Sequence, residues 1–246
     1  FHLGEQAMNV TSESGYGFAF SLMIRALDFS MMILFMILCL LFSIDVSNGA
    51  IKYILTRPVT RLELLASKYV TAGILIAVLL VMLWATSLGA GWYYYGLGDL
   101  TENEYVIFEA GYVLRHIATA TVFLAVGLAA MASLAIAISV HSSTMGGAII
   151  VGLILYTLIG ALSVIPAGLG FEFEWGGQLR QLPWSTAAFT GQIFVPMYLL
   201  DDLPTGIPIE SWWGWDMQRM LFSCSAWGLF FFAIAARGVR KRDFTL

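Results

Sequence analysis

Residues 45–68 read DVSNGAIKYILTRPVTRLELLASK and separate two long apolar runs. This segment carries four of the twelve basic residues of the chain: Lys52, Arg57, Arg61 and Lys68. A charged segment between two runs that could each cross a membrane must lie at a membrane face. An excess of Lys and Arg is typical of the cytoplasmic face. The segment therefore predicts a polytopic membrane protein in which residues 45–68 form a cytoplasmic loop.

The pattern inside this loop indicates ordered local structure. Three apolar residues recur at the spacing of one face of a short helix: Ile51, Ile54 and Leu55. Pro58 ends that helix, because it lacks an N–H and disfavours the helical region for the preceding residue. Thr60 and Glu63 then have the spacing of a capping box, which predicts the start of the next helix. We expect a short amphipathic helix, a turn and a sharply capped span.

The composition is that of an integral membrane protein. The chain is 59% hydrophobic and 11% charged, with a mean hydropathy of +0.83, whereas soluble domains average about 25% charged residues. A hydrocarbon core about 30 Å thick requires about 20 apolar residues per helix. Five segments meet this requirement: residues 24–44, 69–93, 113–138, 146–167 and 220–236. Since backbone groups in hydrocarbon must be hydrogen-bonded internally, we expect an all-α fold with five transmembrane helices.

The distribution of charge predicts the orientation. Four further basic residues follow the last apolar run: Arg237, Arg240, Lys241 and Arg242. Residues 94–112 and 169–216, in contrast, carry ten acidic residues against the single Arg180. The bias of Lys and Arg therefore predicts a cytoplasmic C-terminus and an N-terminus on the outside, with a tight cytoplasmic turn at residues 141–144.

The start of the chain and one external segment are unusual. An N-out start with five spans is uncommon, and the chain begins at Phe1 without the pattern of a signal peptide. We expect that a further spanning helix precedes Phe1, and the alternative is a processed five-helix protein. In the external region 169–216, residues 185–200 are apolar but short and contain Pro196. This pattern favours a re-entrant or interfacial hairpin before the last span.

Few residues are placed for chemistry. The three histidines, His2, His116 and His141, fall in segments predicted at different membrane levels and lack metal-ligand spacing. The sequence contains no GxxxxGK[ST] phosphate loop. It also has no nucleophile–base pair, and its basic tail is too short to predict nucleic-acid binding. We therefore expect that the chain is no enzyme and binds no metal, cofactor or nucleic acid, and that its immediate environment is the lipid bilayer.

Residues 45–68 also resemble the signature of type-2 ABC exporter permeases. The matching residues are Asp45, then after three residues Gly49-Ala50-Ile51-Lys52, the turn Arg57-Pro58-Val59-Thr60-Arg61, and Lys68. The family typically has Glu, Thr and Ser where this chain has Asp45, Ala50 and Thr60. The ending Arg242-Asp243-Phe244 is similar to the ending common in that family. Its members have six spans, so the resemblance implies a six-helix type-2 ABC exporter fold whose first helix is missing from this chain.

The resemblance implies a single transmembrane permease domain over residues 1–246, in a prokaryotic cytoplasmic membrane. A separate ATP-binding cassette ATPase subunit would bind ATP and Mg²⁺, and a second permease copy or a paralogue would complete the export pathway. The implied ATPase-coupling residues are Asp45, Gly49, Ile51, Lys52, Ile54, Leu55, Arg57, Pro58, Thr60, Arg61, Glu63 and Lys68. Two other interpretations remain open, namely a non-transporting membrane anchor subunit of a larger complex and a secondary transporter. The substrate-binding residues are not predicted.

Overall fold

The computed structural model describes residues 14–49, 60–102, 105–162, 170–175, 178–183, 189–209 and 211–241. The α-helices are α1 (Gly15–Ser47), α2 (Arg61–Tyr95), α3 (Ala110–His141), α4 (Met145–Leu162), α5 (Phe189–Gln192), α6 (Val195–Asp201) and α7 (Trp215–Lys241), and a 3₁₀ turn covers Leu203–Thr205. Two antiparallel hairpins pair β1 (Leu100–Glu102) with β2 (Tyr105–Phe108), and β3 (Gly170–Trp175) with β4 (Gln178–Pro183).

The predicted all-α polytopic membrane fold is confirmed. By length and composition, α1, α2, α3 and α7 can each cross a membrane. The shortest of these, α7, has 27 residues, or about 40 Å at 1.5 Å per residue, against a hydrocarbon core of about 30 Å. The remaining predicted span, residues 146–167, corresponds to α4, an apolar helix of 18 residues, and residues 163–167 of that prediction lie outside the described residues. The additional helix before Phe1 stays a prediction.

Short helices occupy the segment that was predicted as a re-entrant or interfacial hairpin. Residues 185–188 lie outside the described part, and α5 and α6 follow. Pro196 stands in the first turn of α6, where its missing N–H breaks no helical hydrogen bond. Five apolar side chains of these elements and their junctions have no exposed surface: Phe189, Ile193, Met197, Leu200 and Leu203. The surrounding protein therefore shields this irregular segment, as such backbone requires within a membrane protein.

The β3–β4 hairpin was not predicted. Its strands pair in regular antiparallel register, from Gly170 opposite Pro183 to Trp175 opposite Gln178. The sequence of β3, GFEFEW, alternates apolar and acidic residues, and this period of two is the signal of a strand. The excess of acidic residues in this segment is equally typical of an external loop, so it does not distinguish a loop from a strand.

The chain clusters into two compact units. One unit comprises Phe1–Ser30, Ala77–Ala125 and Phe194–Gln218, of which residues 14–30 are the described part of the first range. In this unit α1 and α2 approach closely at glycines. A Cβ atom on Gly91 would collide with the carbonyl oxygen of Gly15 and would lie 3.2 Å from the Cβ of Ala19. Small residues at such a crossing allow two membrane helices to pack backbone against backbone.

The second unit comprises Met31–Ile76, Val126–Ile193 and Arg219–Leu246. Small residues mark its helix contacts as well, since a Cβ on Gly152 of α4 would lie 2.8 Å from the Sγ of Cys39 in α1. A polar contact joins α1 to α3. The Ser139 hydroxyl oxygen accepts hydrogen bonds from the backbone N–H groups of Phe42 and Ser43, each at 2.9 Å. Of the spanning helices α3 is the most buried, with 67% of its most apolar stretch covered by protein.

Replacing Gly91 by Ala is expected to destabilise the protein by about 1–3 kcal/mol, because the added methyl group has no room beside the Gly15 backbone. Gly73→Ala in the same helix is the matched control, since nothing lies within 4 Å of a Cβ built there. Thermal unfolding of the detergent-purified proteins measures both effects. Equal melting temperatures for the two variants would contradict the close α1–α2 contact.

Candidate functional site

Helix α1 ends just before Gly49, the glycine of the motif in residues 45–68. The N–H of Asn48 donates to the carbonyl of Ile44 at 3.0 Å, and the N–H of Gly49 donates to the carbonyl of Val46 at 3.2 Å. Gly49 has a φ of +68°, a left-handed conformation that glycine adopts without the steric cost of a Cβ. This glycine therefore terminates α1 and turns the chain into the loop.

Part of the predicted coupling loop cannot be compared with the structure. Six of its residues lie outside the described part of the chain: Ile51, Lys52, Ile54, Leu55, Arg57 and Pro58. The short amphipathic helix assigned to them stays a prediction.

The predicted capping box is confirmed at the start of α2. The backbone N–H of Thr60 donates to Oε2 of Glu63 at 2.8 Å, and the backbone N–H of Glu63 donates to Oγ1 of Thr60 at 3.2 Å. The two residues thus satisfy each other's backbone N–H groups, which would otherwise have no partner within the helix. Glu63 also places a negative charge at the positive end of the helix dipole. The capping box therefore fixes Thr60 as the residue that caps the start of α2.

An ion pair joins the two ends of the motif. The Nζ of Lys68 in α2 contacts Oδ2 of Asp45 in α1, and the two side chains are 16% and 21% exposed. Screening by solvent and salt is weaker for such partly buried charges than for a surface pair. The pair connects the last turns of α1 with the second turn of α2, so the intervening loop starts and ends at fixed points.

Arg61 connects the start of α2 with the end of α7. Its Nη1 donates a hydrogen bond of 2.8 Å to the backbone carbonyl oxygen of Arg240. Carbonyls in the last turn of a helix lack partners within the helix, and a nearby cation favours the negative end of its dipole. The guanidinium of Arg61 is therefore a C-terminal cap for α7, contributed by another helix.

The last turns of α7 also contact the end of α3. A Cβ on Gly238 would lie 2.6 Å from Cε1 of His141 and 2.9 Å from Cγ1 of Val140, so glycine permits this approach. The ring of His141 is held by its own helix, with Nδ1 2.8 Å from the carbonyl oxygen of Ala137. The ends of four spanning helices meet here, and we call this group the charged end: Asp45, Arg61, Lys68, His141 and Arg240.

Asp45, Arg61 and Lys68 fall in one predicted loop, and their sequence pattern gives no connection with α3 or α7. Arg240 takes part through a backbone carbonyl, which has no signature in its side chain. Gly238 lies between Arg237 and Val239 near a helix end. This local sequence does not predict which helix packs against Gly238. The one available signal was the predicted placement of both basic clusters on the same membrane face.

A second cluster lies in the other unit, where Asp99 caps α3 by accepting the N–H of Ala110 at 2.8 Å. Near that end, a row of ring contacts runs from Phe108 of β2 over two residues of α3 to Trp212: Phe108 and Tyr112 at 4.9 Å, Tyr112 and His116 at 4.1 Å, and His116 and Trp212 at 5.8 Å. Such contacts stabilise packing. The i, i+4 spacing of the first three was visible in the sequence, but the partner Trp212 was not.

Within the described ranges, no group of three or more His, Cys, Asp and Glu side chains could hold a metal ion. Outside the spans, burial and then the neighbouring Asp202 raise the pKa of Asp201, but no nucleophile lies beside this carboxyl among the described contacts. The charged end joins the last turns of α1, α3 and α7 to the start of α2.

Thr60→Ala is expected to lower stability by about 1 kcal/mol, the usual effect of losing an N-terminal cap. Glu63→Ala should cost a similar amount, and the double variant less than the sum, because each residue needs the other. Chemical denaturation of the four proteins measures this coupling. Thr71→Ala is the control, since the one partner of its hydroxyl among the described residues is the Ser67 carbonyl within the same helix. Strict additivity would contradict a reciprocal cap.

Asp45→Lys and Lys68→Asp are each expected to destabilise the protein by about 1–3 kcal/mol, because a partly buried charge loses its partner. Combining both restores an opposite pair with reversed polarity. We therefore expect the double variant to recover most of the lost melting temperature. A double variant less stable than either single one would show that the pair does not join α1 and α2.

Comparison with known proteins gives a family but no established activity. The family described as "Protein of unknown function (DUF2705)" matches residues 1–177, which include the whole of residues 45–68. The "Uncharacterized protein YhcI" of Bacillus subtilis (strain 168) is 27% identical over 133 residues, which are 52% of this chain and 42% of that relative. The match thus spans less than half of the relative's length. No solved structure matches the chain. Because the family match covers more than half of the sequence, the chain belongs to the DUF2705 family of proteins of unknown function.

Proposed function

We propose that this chain is the membrane-spanning permease subunit of a type-2 ABC exporter. The observation that carries the proposal is the Asp45–Lys68 ion pair. These residues are the two ends of the motif that resembles the permease signature, and they are in contact although 22 residues separate them in the sequence. Because the ion pair restrains both ends of the motif, the residues between them form a loop with fixed end points. A loop that docks into a partner requires such end points.

The proposed partner is a separate ATP-binding cassette ATPase. Such a subunit would receive residues 49–56 in a surface groove, in the way that an amphipathic helix binds a hydrophobic groove. Ile51, Ile54 and Leu55 would supply the apolar contacts, and Lys52 and Arg57 would bind acidic side chains. The ATPase would bind ATP and Mg²⁺, since this chain has no phosphate-binding loop of the P-loop type.

The contacts of the charged end suggest how movement would be transmitted. When two ATPase subunits close on ATP, each would displace the loop that it holds. The capping box makes the start of α2 a rigid point of attachment, and Arg61 connects that point to the last turn of α7. A displacement of the loop would therefore move α2 and α7 together. A second permease copy or a paralogue would form the other half of the pathway.

The orientation is part of the same proposal. Eight of the twelve Lys and Arg residues lie in residues 45–68 and 237–242, and the positive-inside rule favours the cytoplasm for both segments. The C-terminus would then be cytoplasmic, on the side where ATP is available. The relative from Bacillus subtilis is compatible with a bacterial cytoplasmic membrane.

Affinity purification from the native membrane in mild detergent, followed by mass spectrometry, tests the proposal. We expect a P-loop ATPase at a 1:1 ratio to the chain, with ATPase activity in the purified complex. The loop variant Lys52→Glu/Arg57→Glu should lose this partner. It is preferred to a change at Arg61, which already has an intramolecular role at the Arg240 carbonyl.

The matched control is Arg25→Glu/Arg115→Glu, which reverses two exposed charges outside the loop and should retain the ATPase. A complex that contains another large assembly and no ATPase would support the anchor-subunit interpretation. Purification of the chain alone, with substrate movement driven by an ion gradient, would support a secondary transporter. Retention of the ATPase by the loop variant would contradict the assigned docking loop.

A further inference from the structure

We propose that the end of α7 binds the headgroup phosphate of an anionic phospholipid. An open groove of about 500 Å³ lies along this end of the helix. Its lining consists of two small residues and three basic ones: Ala233, Ala236, Arg237, Arg240 and Lys241. The small alanine side chains leave space close to the helix backbone, and the long basic side chains line that space.

The groove continues an exposed apolar surface of the same helix. Leu229, Ala233, Ala236 and Arg240 follow the i, i+4, i+7, i+11 spacing of one helical face. Leu229 is 70% exposed and Phe222, two turns earlier on this face, is 66% exposed. Such side chains on a spanning helix contact lipid tails. Eleven residues separate Leu229 from Arg240, which is about 17 Å along the axis, close to half of a 30 Å hydrocarbon core. One lipid molecule could therefore contact both.

The basic side chains are available to an anion. Arg237, Arg240 and Lys241 are exposed, and none of them forms an ion pair within the part of the chain that the structure describes. Arginine binds phosphate through two parallel hydrogen bonds, and lysine adds a point charge. Each basic residue near an anionic membrane surface contributes about 1 kcal/mol to the attraction.

The C-terminus of a helix normally disfavours an anion, because its dipole is negative there. Arg61 offsets this effect, since its guanidinium already binds the carbonyl oxygen of Arg240. The side chain and the carbonyl of Arg240 thus have different roles, one toward the groove and the other toward α2. The apolar face that leads into the groove favours a lipid over a soluble phosphate, which would gain nothing from Leu229 or Phe222.

The test measures lipids that co-purify with the protein from vesicles of equal phosphatidylglycerol and phosphatidylcholine content. The wild-type chain should retain phosphatidylglycerol with an enrichment about thirtyfold above that of a chain without the two arginines, at about 1 kcal/mol for each arginine. Arg237→Gln/Arg240→Gln should lose that difference and keep only the weaker preference contributed by Lys241. Arg237→Lys/Arg240→Lys should keep a large part of it, because the charges remain.

Arg25→Gln/Arg115→Gln removes two exposed charges elsewhere and should leave the enrichment unchanged. Each variant is compared in phosphatidylcholine alone, where equal melting temperatures establish that folding is intact. An undiminished enrichment in Arg237→Gln/Arg240→Gln, or an equal loss in the control pair, would overturn the proposal. So would a melting-temperature increase from soluble glycerol phosphate equal to that from phosphatidylglycerol, because the groove would then bind phosphate without the acyl chains. These outcomes are independent of whether an ATPase co-purifies.

Discussion

The requirement that every backbone polar group inside a membrane be hydrogen-bonded within the protein governs this structure. Helices meet it along their length but not at their ends, where four N–H or C=O groups remain without partners in the helix. Polar side chains accordingly collect at the ends. Thr60 and Glu63 satisfy the start of α2, Asp99 the start of α3, and Thr144 the start of α4, where its hydroxyl accepts the N–H of Gly147. The charged end extends the same solution to α7, whose terminal carbonyl is satisfied by Arg61 of another helix. The candidate site is therefore at the helix ends, because capping of the unpaired backbone groups brings charged residues together there.

The elements that depend on local sequence could be predicted. Apolar runs of sufficient length identified the spanning helices, and the spacing of Thr60 and Glu63 identified the first turn of α2. Both signals are contained in short stretches of sequence. The first reflects the preference of apolar side chains for the hydrocarbon core, and the second reflects capping of backbone N–H groups. The separation of α5 from α6 could not be predicted, because short buried helices and one re-entrant segment share the same apolar composition. The contact of Arg61 with Arg240 crosses 179 residues, and no local pattern specifies which distant carbonyl an arginine will reach.

Within the candidate site, sequence and structure contribute different parts. The motif named Asp45 and Lys68 as separate charged positions, and only the folded chain brings them into one ion pair. Gly49 was part of the same motif, and its positive φ explains why glycine is required where α1 ends. The role of Gly238 came from the structure alone, since it depends on how closely α7 approaches His141. The sequence thus identifies these positions, and the packing of the helices identifies the contacts that they make.

The hydroxyl of Ser139 limits which parts of the protein can move. It accepts two backbone N–H groups of α1 from a site with no exposed surface. Sliding α3 along α1 would remove these two hydrogen bonds, each of which contributes about 0.5–1.5 kcal/mol. The hydroxyl therefore ties the last turns of α1 to the last turns of α3. Only 22% of the most apolar stretch of α7 is covered by protein, so displacing this helix breaks fewer contacts. Resistance to sliding is thus concentrated in the α1–α3 contact, and α7 is expected to be the helix whose displacement loses the fewest contacts.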